Sequence, residues 1–174
     1  MPVLIAMCGL PFAGKSVLAG ALSRELRIRL LSYDLEIYPV HNRLAPAGSS
    51  VAAEYDFVQG IARREIAAVL ASGESLIYDD LLLERDDRRK LAAVAKAHWA
   101  DFVLVYLDTP LSVIDERRAA NTRARRRTSI PEGNMRLDIS LLEPPTDAER
   151  AIRVSADYLL PEVLARVSAR LTGS

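Results

Sequence analysis

The stretch that decides the fold is Gly9-Leu10-Pro11-Phe12-Ala13-Gly14-Lys15-Ser16. It fits the pattern G-x-x-x-x-G-K-[ST] of a phosphate-binding loop, and it follows an apolar run over residues 3–8 and precedes a helical pattern, as such a loop must. The two glycines lack a Cβ atom, so the backbone can take positive φ angles and approach an anion closely. Backbone N–H groups at the start of a helix then form a concave, partly positive site. The sequence therefore predicts that the chain binds a nucleoside triphosphate.

The end of this loop supplies two further groups for a nucleotide. Lys15 brings a mobile positive charge to the β- and γ-phosphates, and Ser16 offers a hydroxyl to Mg²⁺, which prefers oxygen ligands. The predicted nucleotide-binding residues in this part of the chain are Gly9, Pro11, Phe12, Ala13, Gly14, Lys15, Ser16 and Val17.

The composition is that of an ordinary globular protein. The chain has 174 residues, half of them apolar, with 23 basic and 23 acidic residues, which predicts a single domain over residues 1–174. A net charge of zero argues against a globally basic nucleic-acid binder. The one cysteine, the lack of a signal-peptide pattern and the lack of a long apolar run predict a cytoplasmic protein without a membrane partner.

Apolar runs alternate with helical patterns along the whole chain. Strands are predicted at Val3–Cys8, Ile28–Ser32, Ser75–Tyr78, Asp101–Leu107 and Ala151–Ser155. Helices are predicted at Lys15–Arg27, Val51–Ala71, Arg85–Ala97, Pro110–Asn121, Glu132–Leu142 and Tyr158–Leu171, and Pro39–Ser50 is predicted to be a loop. This alternation predicts the α/β class, a three-layer α/β/α sandwich around a five-stranded parallel sheet.

Asp34, Asp79 and Asp108 each follow the end of a predicted strand. The carboxyl ends of parallel strands share one edge of the sheet, so these side chains should face the phosphate-binding loop. Asp79, the first of the pair Asp79-Asp80, is the predicted Mg²⁺-side carboxylate, and Asp34 is a candidate general base for an attacking hydroxyl. The alternative for each is a turn or helix-cap aspartate without a catalytic role.

Arginines are concentrated between Arg117 and Arg127. A planar, permanently charged guanidinium suits phosphate oxygens, so this cluster predicts a lid over approximately residues 117–142 that closes on the nucleotide. A solvated helix face and a nucleic-acid patch are the alternatives.

The ordered series of motifs resembles the small P-loop kinases of the zeta-toxin and polynucleotide-kinase-like group, often described as AAA family ATPases. The resemblance covers Val3 to about Glu149. It rests on Gly9–Ser16, Ser32-Tyr33-Asp34, Tyr78-Asp79-Asp80 with Arg88, Leu107-Asp108-Thr109-Pro110, Arg117 with Asn121 and Arg125, Ile130-Pro131, and Glu143-Pro144-Pro145 before Glu149.

The resemblance implies a P-loop NTPase fold and roles for four residues. It implies that Asp34 is the base, that Arg125 or a neighbour contacts the γ-phosphate, and that Arg117 or Arg118 lies close to the adenine. The chain departs from polynucleotide kinases where Leu35-Glu36-Ile37 replaces their arginine and Leu81-Leu82 replaces their Thr-Asn. Both departures disfavour a nucleic-acid substrate.

The resulting prediction is an ATP- and Mg²⁺-dependent phosphotransferase that moves the γ-phosphate to a hydroxyl of a small molecule, such as an antibiotic, a nucleoside or a sugar. Its predicted catalytic residues are Lys15, Asp34 and Arg125, and its acceptor pocket includes Tyr38, His41 and Tyr55. The alternatives are a polynucleotide 5′-hydroxyl kinase and a nucleotide-binding switch with little turnover.

Overall fold

One parallel sheet organises the protein. The computed structural model describes residues 1–39, 51–124 and 130–172. Within them the strands are β1 (Val3–Cys8), β2 (Arg29–Ser32), β3 (Leu76–Asp79), β4 (Asp101–Asp108) and β5 (Ile152–Ser155). They pair in parallel in the order β2-β3-β1-β4-β5, which confirms the predicted five-stranded parallel sheet. The strand that leads into the phosphate-binding loop is therefore the central one.

Helices cover both faces of the sheet. In the described part of the chain they are α1 (Lys15–Leu26), α2 (Val51–Ala71), α3 (Arg85–Ala97), α4 (Leu111–Ala124), α5 (Glu132–Leu141) and α6 (Leu160–Thr172). The observed ends differ from the predicted ones by at most three residues. Two single turns, a π-helical turn at Tyr33–Ile37 and a 3₁₀ turn at Asp147–Glu149, were not predicted, because such short turns leave no periodic apolar pattern.

The alternation of side chains along β1 separates two apolar cores. Ile5 packs with α1 and α6, in one cluster with Leu18 and Val167, whereas Leu4 packs with α2 and α3, in a cluster that includes Leu70 and Leu91. Successive residues of a strand point to opposite faces, so an uninterrupted apolar run is the pattern of a strand buried on both sides. The three-layer arrangement follows directly from this run.

A third, smaller core lies at the carboxyl end of the sheet. It joins the phosphate-binding loop to the two helices of the predicted lid, α4 and α5. Its buried members are Leu10, Phe12, Leu83, Ile114 and Met135. Leu10 and Phe12, which occupy variable positions of the loop motif, thus pack against α4 and α5.

Some predictions fall outside the described residues. Arg125, Arg126, Arg127 and His41 lie there, as does the predicted Pro39–Ser50 loop except for its first residue. Among the described helices, none combines the length and the apolar character needed to cross a membrane.

The packing predicts a strong effect of truncating α1. Leu22 is fully buried against the sheet, whereas Leu159 is 61% exposed. Leu22→Ala should lower the free energy of unfolding by about 2–5 kcal/mol, because it removes buried methyl groups and leaves a cavity. Urea unfolding followed by circular dichroism measures this, and Leu159→Ala, the same change at an exposed position, should stay within about 0.5 kcal/mol of the parent. Equal losses in the two variants would contradict the packing described here.

Candidate phosphate-transfer site

The two glycines of the loop have the backbone angles for which glycine is needed. Gly9 has a φ angle of 141°, and a Cβ atom there would lie 2.9 Å from the carbonyl oxygen of Leu107. Gly14 has a φ angle of 108° and forms the N-cap of α1. Both angles lie in the region that glycine adopts without steric cost. The loop therefore follows the path that its motif predicts.

Side chains from neighbouring segments donate hydrogen bonds to the backbone of this loop. Phe12 takes a φ angle of 62°, which is uncommon for a residue with a bulky side chain. The hydroxyl of Thr109 donates to the carbonyl oxygen of Ala13 at 3.1 Å. Nη1 of Arg117 donates to the carbonyl oxygens of Phe12 at 3.2 Å and of Ala13 at 2.7 Å. These hydrogen bonds hold the loop in a strained backbone conformation. A binding loop that is held in this way has its shape before the ligand arrives.

The ammonium group of Lys15 lies inside the loop. The residue is 7% exposed, and Nζ donates to the carbonyl oxygen of Leu10 at 2.8 Å. Burial raises the pKa of Asp80 and of Asp138, and the positive charge of Lys15 opposes this larger effect by lowering both values. The positive charge is thus concentrated where the loop's N–H groups at the start of α1 favour an anion. Ser16 and Val17 follow in the first turn of α1, and both are exposed.

Two aspartates lie at the end of β3 next to the base of the loop, and hydrogen bonds from three groups hold Asp80 in place. Asp80 accepts hydrogen bonds from Gln59 at 3.1 Å, from the hydroxyl of Tyr78 at 3.0 Å and from the N–H of Leu81 at 2.7 Å. Burial raises the pKa of Asp80, although these hydrogen bonds favour the charged form. Asp79 is also buried and ends the strand that pairs with β1, so it lies beside the base of the loop.

Ser16 and Asp79 offer a hydroxyl and a carboxylate, a donor set made only of oxygen, which fits Mg²⁺. Within the described ranges, no group of three or more His, Cys, Asp and Glu residues could hold a metal ion. An ion held by two protein oxygens would take its remaining ligands from phosphates and water, as Mg²⁺ commonly does.

The predicted base lies at the same edge of the sheet. Asp34 is exposed in the π-helical turn that follows β2, and β2 pairs with β3 so that Ser32 is opposite Asp79. Burial raises the pKa of the Tyr33 hydroxyl, and the nearby carboxylates of Asp80 and Asp34 raise it further. The tertiary structure thus brings Asp34 and Asp80 together around one tyrosine.

Near Asp34 lies a group of tyrosines and carboxylates, which we call the wall: Tyr33, Tyr38, Tyr55, Asp80 and Asp87. The rings of Tyr33 and Tyr38 contact at a centroid distance of 6.2 Å. The hydroxyl of Tyr55 donates to Asp87 at 2.7 Å, linking α2 to α3. Burial, this hydrogen bond and the charges of Asp87 and Asp80 all raise the pKa of Tyr55. Two of the predicted acceptor-pocket residues, Tyr38 and Tyr55, therefore lie on this wall.

The two arginines at the start of the lid differ in their surroundings. Arg117 binds the loop carbonyls and also donates through Nη2 to the carbonyl oxygen of Ala156, at 3.3 Å, in the turn between β5 and α6. Arg118 forms an ion pair with Glu132 at 3.0 Å, which links α4 to α5. Arg118 and Phe12 also line a surface cavity of about 330 Å³. Arg117 is thus the arginine of the two that reaches the phosphate-binding loop.

Sequence reasoning assigned no role to three residues that the structure places near the loop. Asp138 on α5 is partly buried, and that burial raises its pKa, while the Lys15 charge opposes the shift. Arg88 is 1% exposed and binds Glu149 at 2.7 Å, although 61 residues separate the two. The resemblance included both members of this pair, but no local pattern could show that they are partners.

The Arg88–Glu149 pair predicts a pH-dependent contribution to stability. Burial alone would raise the pKa of Glu149, but hydrogen bonds from Arg88 and Thr146 lower it below its ordinary value. The stabilisation is therefore present above the unfolded-state pKa of about 4.3 and is lost as the pH falls through the lower folded-state value. Glu149→Gln should cost about 2 kcal/mol at pH 7, since it removes hydrogen bonds to a charged group. Urea unfolding should show this difference shrinking as the pH is lowered below 4; a constant difference would contradict the assignment.

The loop geometry predicts that Gly9 cannot be replaced. Gly9→Ala places a Cβ atom against the Leu107 carbonyl in a left-handed backbone conformation, which should cost about 1–3 kcal/mol of stability. Gly60 lies inside α2 with open space around it, so Gly60→Ala should stabilise the protein by about 0.5–1 kcal/mol. Thermal unfolding distinguishes the two, and the geometry described here is wrong if Gly9→Ala unfolds like the parent protein.

Solved structures that resemble this chain share its fold over nearly its full length. A gluconokinase from Sinorhizobium meliloti 1021 has 24% identity and a TM-score of 0.70, covering 98% of this chain and 95% of its own. The APS kinase CysC of Mycobacterium tuberculosis, in complex with AMPPNP and APS, has 22% identity and a TM-score of 0.67, with coverages of 98% and 97%. Kti12 of Chaetomium thermophilum, in complex with ADP-AlF3, has 19% identity and a TM-score of 0.77, with coverages of 98% and 100%.

No curated protein matches the chain significantly. The narrower zeta-toxin and polynucleotide-kinase-like group therefore stays a prediction. At the level of the family the result is clear, because the AAA domain matches residues 4–145, most of the chain. The protein belongs to the AAA domain family.

Proposed function

We propose that this protein is an ATP- and Mg²⁺-dependent phosphotransferase that moves the γ-phosphate to a hydroxyl group of a small molecule. The observation that carries the proposal is the placement of Asp34 in the turn directly after β2, the strand whose last residue, Ser32, pairs with Asp79 at the sheet edge where the phosphate-binding loop begins. A protein that only binds a nucleotide has no need of an exposed carboxylate opposite the phosphates. Phosphoryl transfer needs one to orient and deprotonate the acceptor.

Each residue of the site has a role in this reaction. The loop N–H groups and Lys15 hold the phosphates, and Ser16 and Asp79 would hold Mg²⁺, which neutralises charge on the phosphate oxygens. Asp34 takes the proton of the acceptor hydroxyl. The oxygen of that hydroxyl then bonds to the γ-phosphorus, while the bond between the γ-phosphorus and the leaving oxygen of ADP breaks. The lid would bring Arg125 to the transferring group.

The comparisons support a kinase. Two of the similar structures are named for phosphorylating small molecules, gluconokinase and APS kinase, and the second holds an ATP analogue and its substrate together. Their identity to this chain is below 25%, so they support the reaction type and leave the acceptor to be determined.

The charge of the acceptor wall favours a small molecule over a nucleic acid. In addition to burial, the carboxylates of Asp34 and Asp80 raise the pKa of the Tyr33 hydroxyl, and those of Asp87 and Asp80 raise the pKa of Tyr55. Asp34 is the exposed one of the three, since Asp80 and Asp87 are buried and Asp87 lies 3.8 Å from Lys90. A polynucleotide end would bring phosphates towards Asp34, and like charges brought together cost binding energy. An uncharged or positively charged hydroxyl compound meets no such repulsion.

A nucleotide-dependent switch is the second candidate. It needs only the nucleotide site, and the similar structure of Kti12 was solved with a bound nucleotide, ADP-AlF3. In a switch, Asp34 would have no acceptor to deprotonate. Replacing Asp34 therefore separates the two candidates.

The test is a transfer screen with labelled ATP and Mg²⁺ against pools of nucleosides, sugars, antibiotics and oligonucleotides. Asp34→Asn should reduce transfer by about 10²–10⁴-fold, because it removes the base while keeping the side-chain shape. Asp101→Asn, at the opposite end of the sheet, is the matched control and should transfer at the parent rate.

ATP binding should be unchanged in both variants. Slow ATP hydrolysis at equal rates in the parent and in Asp34→Asn, without transfer to any pool, would reject the kinase and favour the switch.

A further inference from the structure

Arg88 is a fully buried charged side chain outside the proposed reacting groups, and four hydrogen bonds hold its guanidinium. Nε and Nη2 donate to the two carboxylate oxygens of Glu149 at 2.7 and 3.3 Å. Nη1 donates to the carbonyl oxygens of Leu82 at 3.0 Å and Leu83 at 2.8 Å. Burying a guanidinium is costly unless its donors are satisfied. These four bonds use the planar fork of arginine, which a lysine cannot reproduce.

The carbonyls that Arg88 binds belong to the connection between β3 and α3, and this connection also holds the base of the phosphate-binding loop. The N–H of Gly9 donates to the carbonyl oxygen of Leu81 at 3.0 Å. The thiol of Cys8 donates to the carbonyl oxygen of Leu82 at 3.3 Å, and burial raises the pKa of that thiol to about 12, so it keeps its proton. One carbonyl, that of Leu82, therefore joins Arg88 to the last residue of β1.

The same connection holds the segment that leaves the lid. The N–H of Glu143 donates to the carbonyl oxygen of Leu83 at 3.0 Å, and its carboxylate accepts from the N–H of Arg85 at 2.6 Å. Glu149 accepts from the N–H of Thr146 at 2.9 Å as well as from Arg88. The end of the lid is thus fixed at two points, both beside Arg88.

The start of the lid is fixed to the loop by other contacts. Thr109 and Arg117 bind the carbonyl of Ala13, and the apolar cluster around Phe12 packs under α4 and α5. The start of α4 and the residues that follow α5 are therefore both attached to the phosphate-binding loop. The start of α4 is held directly, and the residues that follow α5 are held through Arg88 and the connection that follows β3.

We propose that Arg88, held by Glu149, is a positioning residue that couples the lid to the phosphate-binding loop. It fixes the end of the lid against the connection that also carries Asp79 and Asp80, so that nucleotide binding in the loop is transmitted to α4 and α5. The inference rests on the proposed function, since a lid matters for transfer of the γ-phosphate. Arg88 itself does not touch the reacting atoms.

The test uses Arg88→Lys, which keeps the charge and loses the fork, and Glu149→Gln, which keeps the shape and loses the charge. Arg89→Lys is the matched control, because Arg89 is the next residue of α3, is 79% exposed and pairs with Asp86 one turn earlier in the same helix. Each full-length variant is compared with the parent for thermal unfolding, for the Kd of a non-hydrolysable ATP analogue with Mg²⁺, and for phosphotransfer. Hydrogen–deuterium exchange of peptides from residues 111–124 and 132–141 is measured with and without the analogue.

In the parent, the analogue should slow exchange in the lid peptides. Arg88→Lys and Glu149→Gln should lose most of this protection and lower kcat about tenfold, a typical size for coupling through a network, while the Kd of the analogue changes much less. Arg89→Lys should match the parent in all four measurements. A purely structural role would not separate kcat and lid protection from nucleotide affinity.

The proposal is overturned if both variants keep the lid protection and kcat of the parent. It is also overturned if Kd, kcat and exchange throughout the chain change in parallel with a lower unfolding temperature. If Arg88→Lys does not fold, Glu149→Gln decides by the same criteria, because its side chain is 18% exposed and the substitution leaves no cavity. A parent protein that shows nucleotide-dependent lid protection but phosphorylates no compound would reject the proposed function and leave the coupling standing.

Discussion

The close approach of Gly9 to the β4 backbone constrains everything around the end of β1. A left-handed φ angle and a carbonyl 2.9 Å from a would-be Cβ atom leave no room for any other residue there. The chain can then turn sharply from the central strand into α1 at this point. Because β1 lies between β3 and β4, groups from both neighbouring strands reach this point. Carboxylates come from the β3 side, and Thr109 and the lid come from the β4 side.

The positive charges near the loop are held by backbone carbonyls. Lys15 donates to the carbonyl oxygen of Leu10 within the loop, while Arg117 and Arg88 bind carbonyls of the loop and of the connection after β3. A charge that is hydrogen-bonded by the protein fixes geometry well, because moving it would leave buried donors without acceptors. In the described part of the chain, these cations therefore keep the loop and its surroundings in place.

The similar structures establish the fold of this protein, but they say less about the reaction that it carries out. Proteins at 19–24% identity superimpose over nearly the whole chain, although their names describe different activities. What they share with this chain is its fold. One fold can host many functions.

The sequence by itself determined the class of the fold, because it depends on local patterns. The loop motif, the apolar run of β1 and the alternation of strands with helices can each be recognised within a few residues. Only the tertiary structure decided the strand order, the burial of Asp80 by Gln59 and Tyr78, and the pairing of Arg88 with Glu149. Each of these joins segments that are distant in the chain, and the partner is chosen by packing and by the need to satisfy buried charges, neither of which has a local pattern.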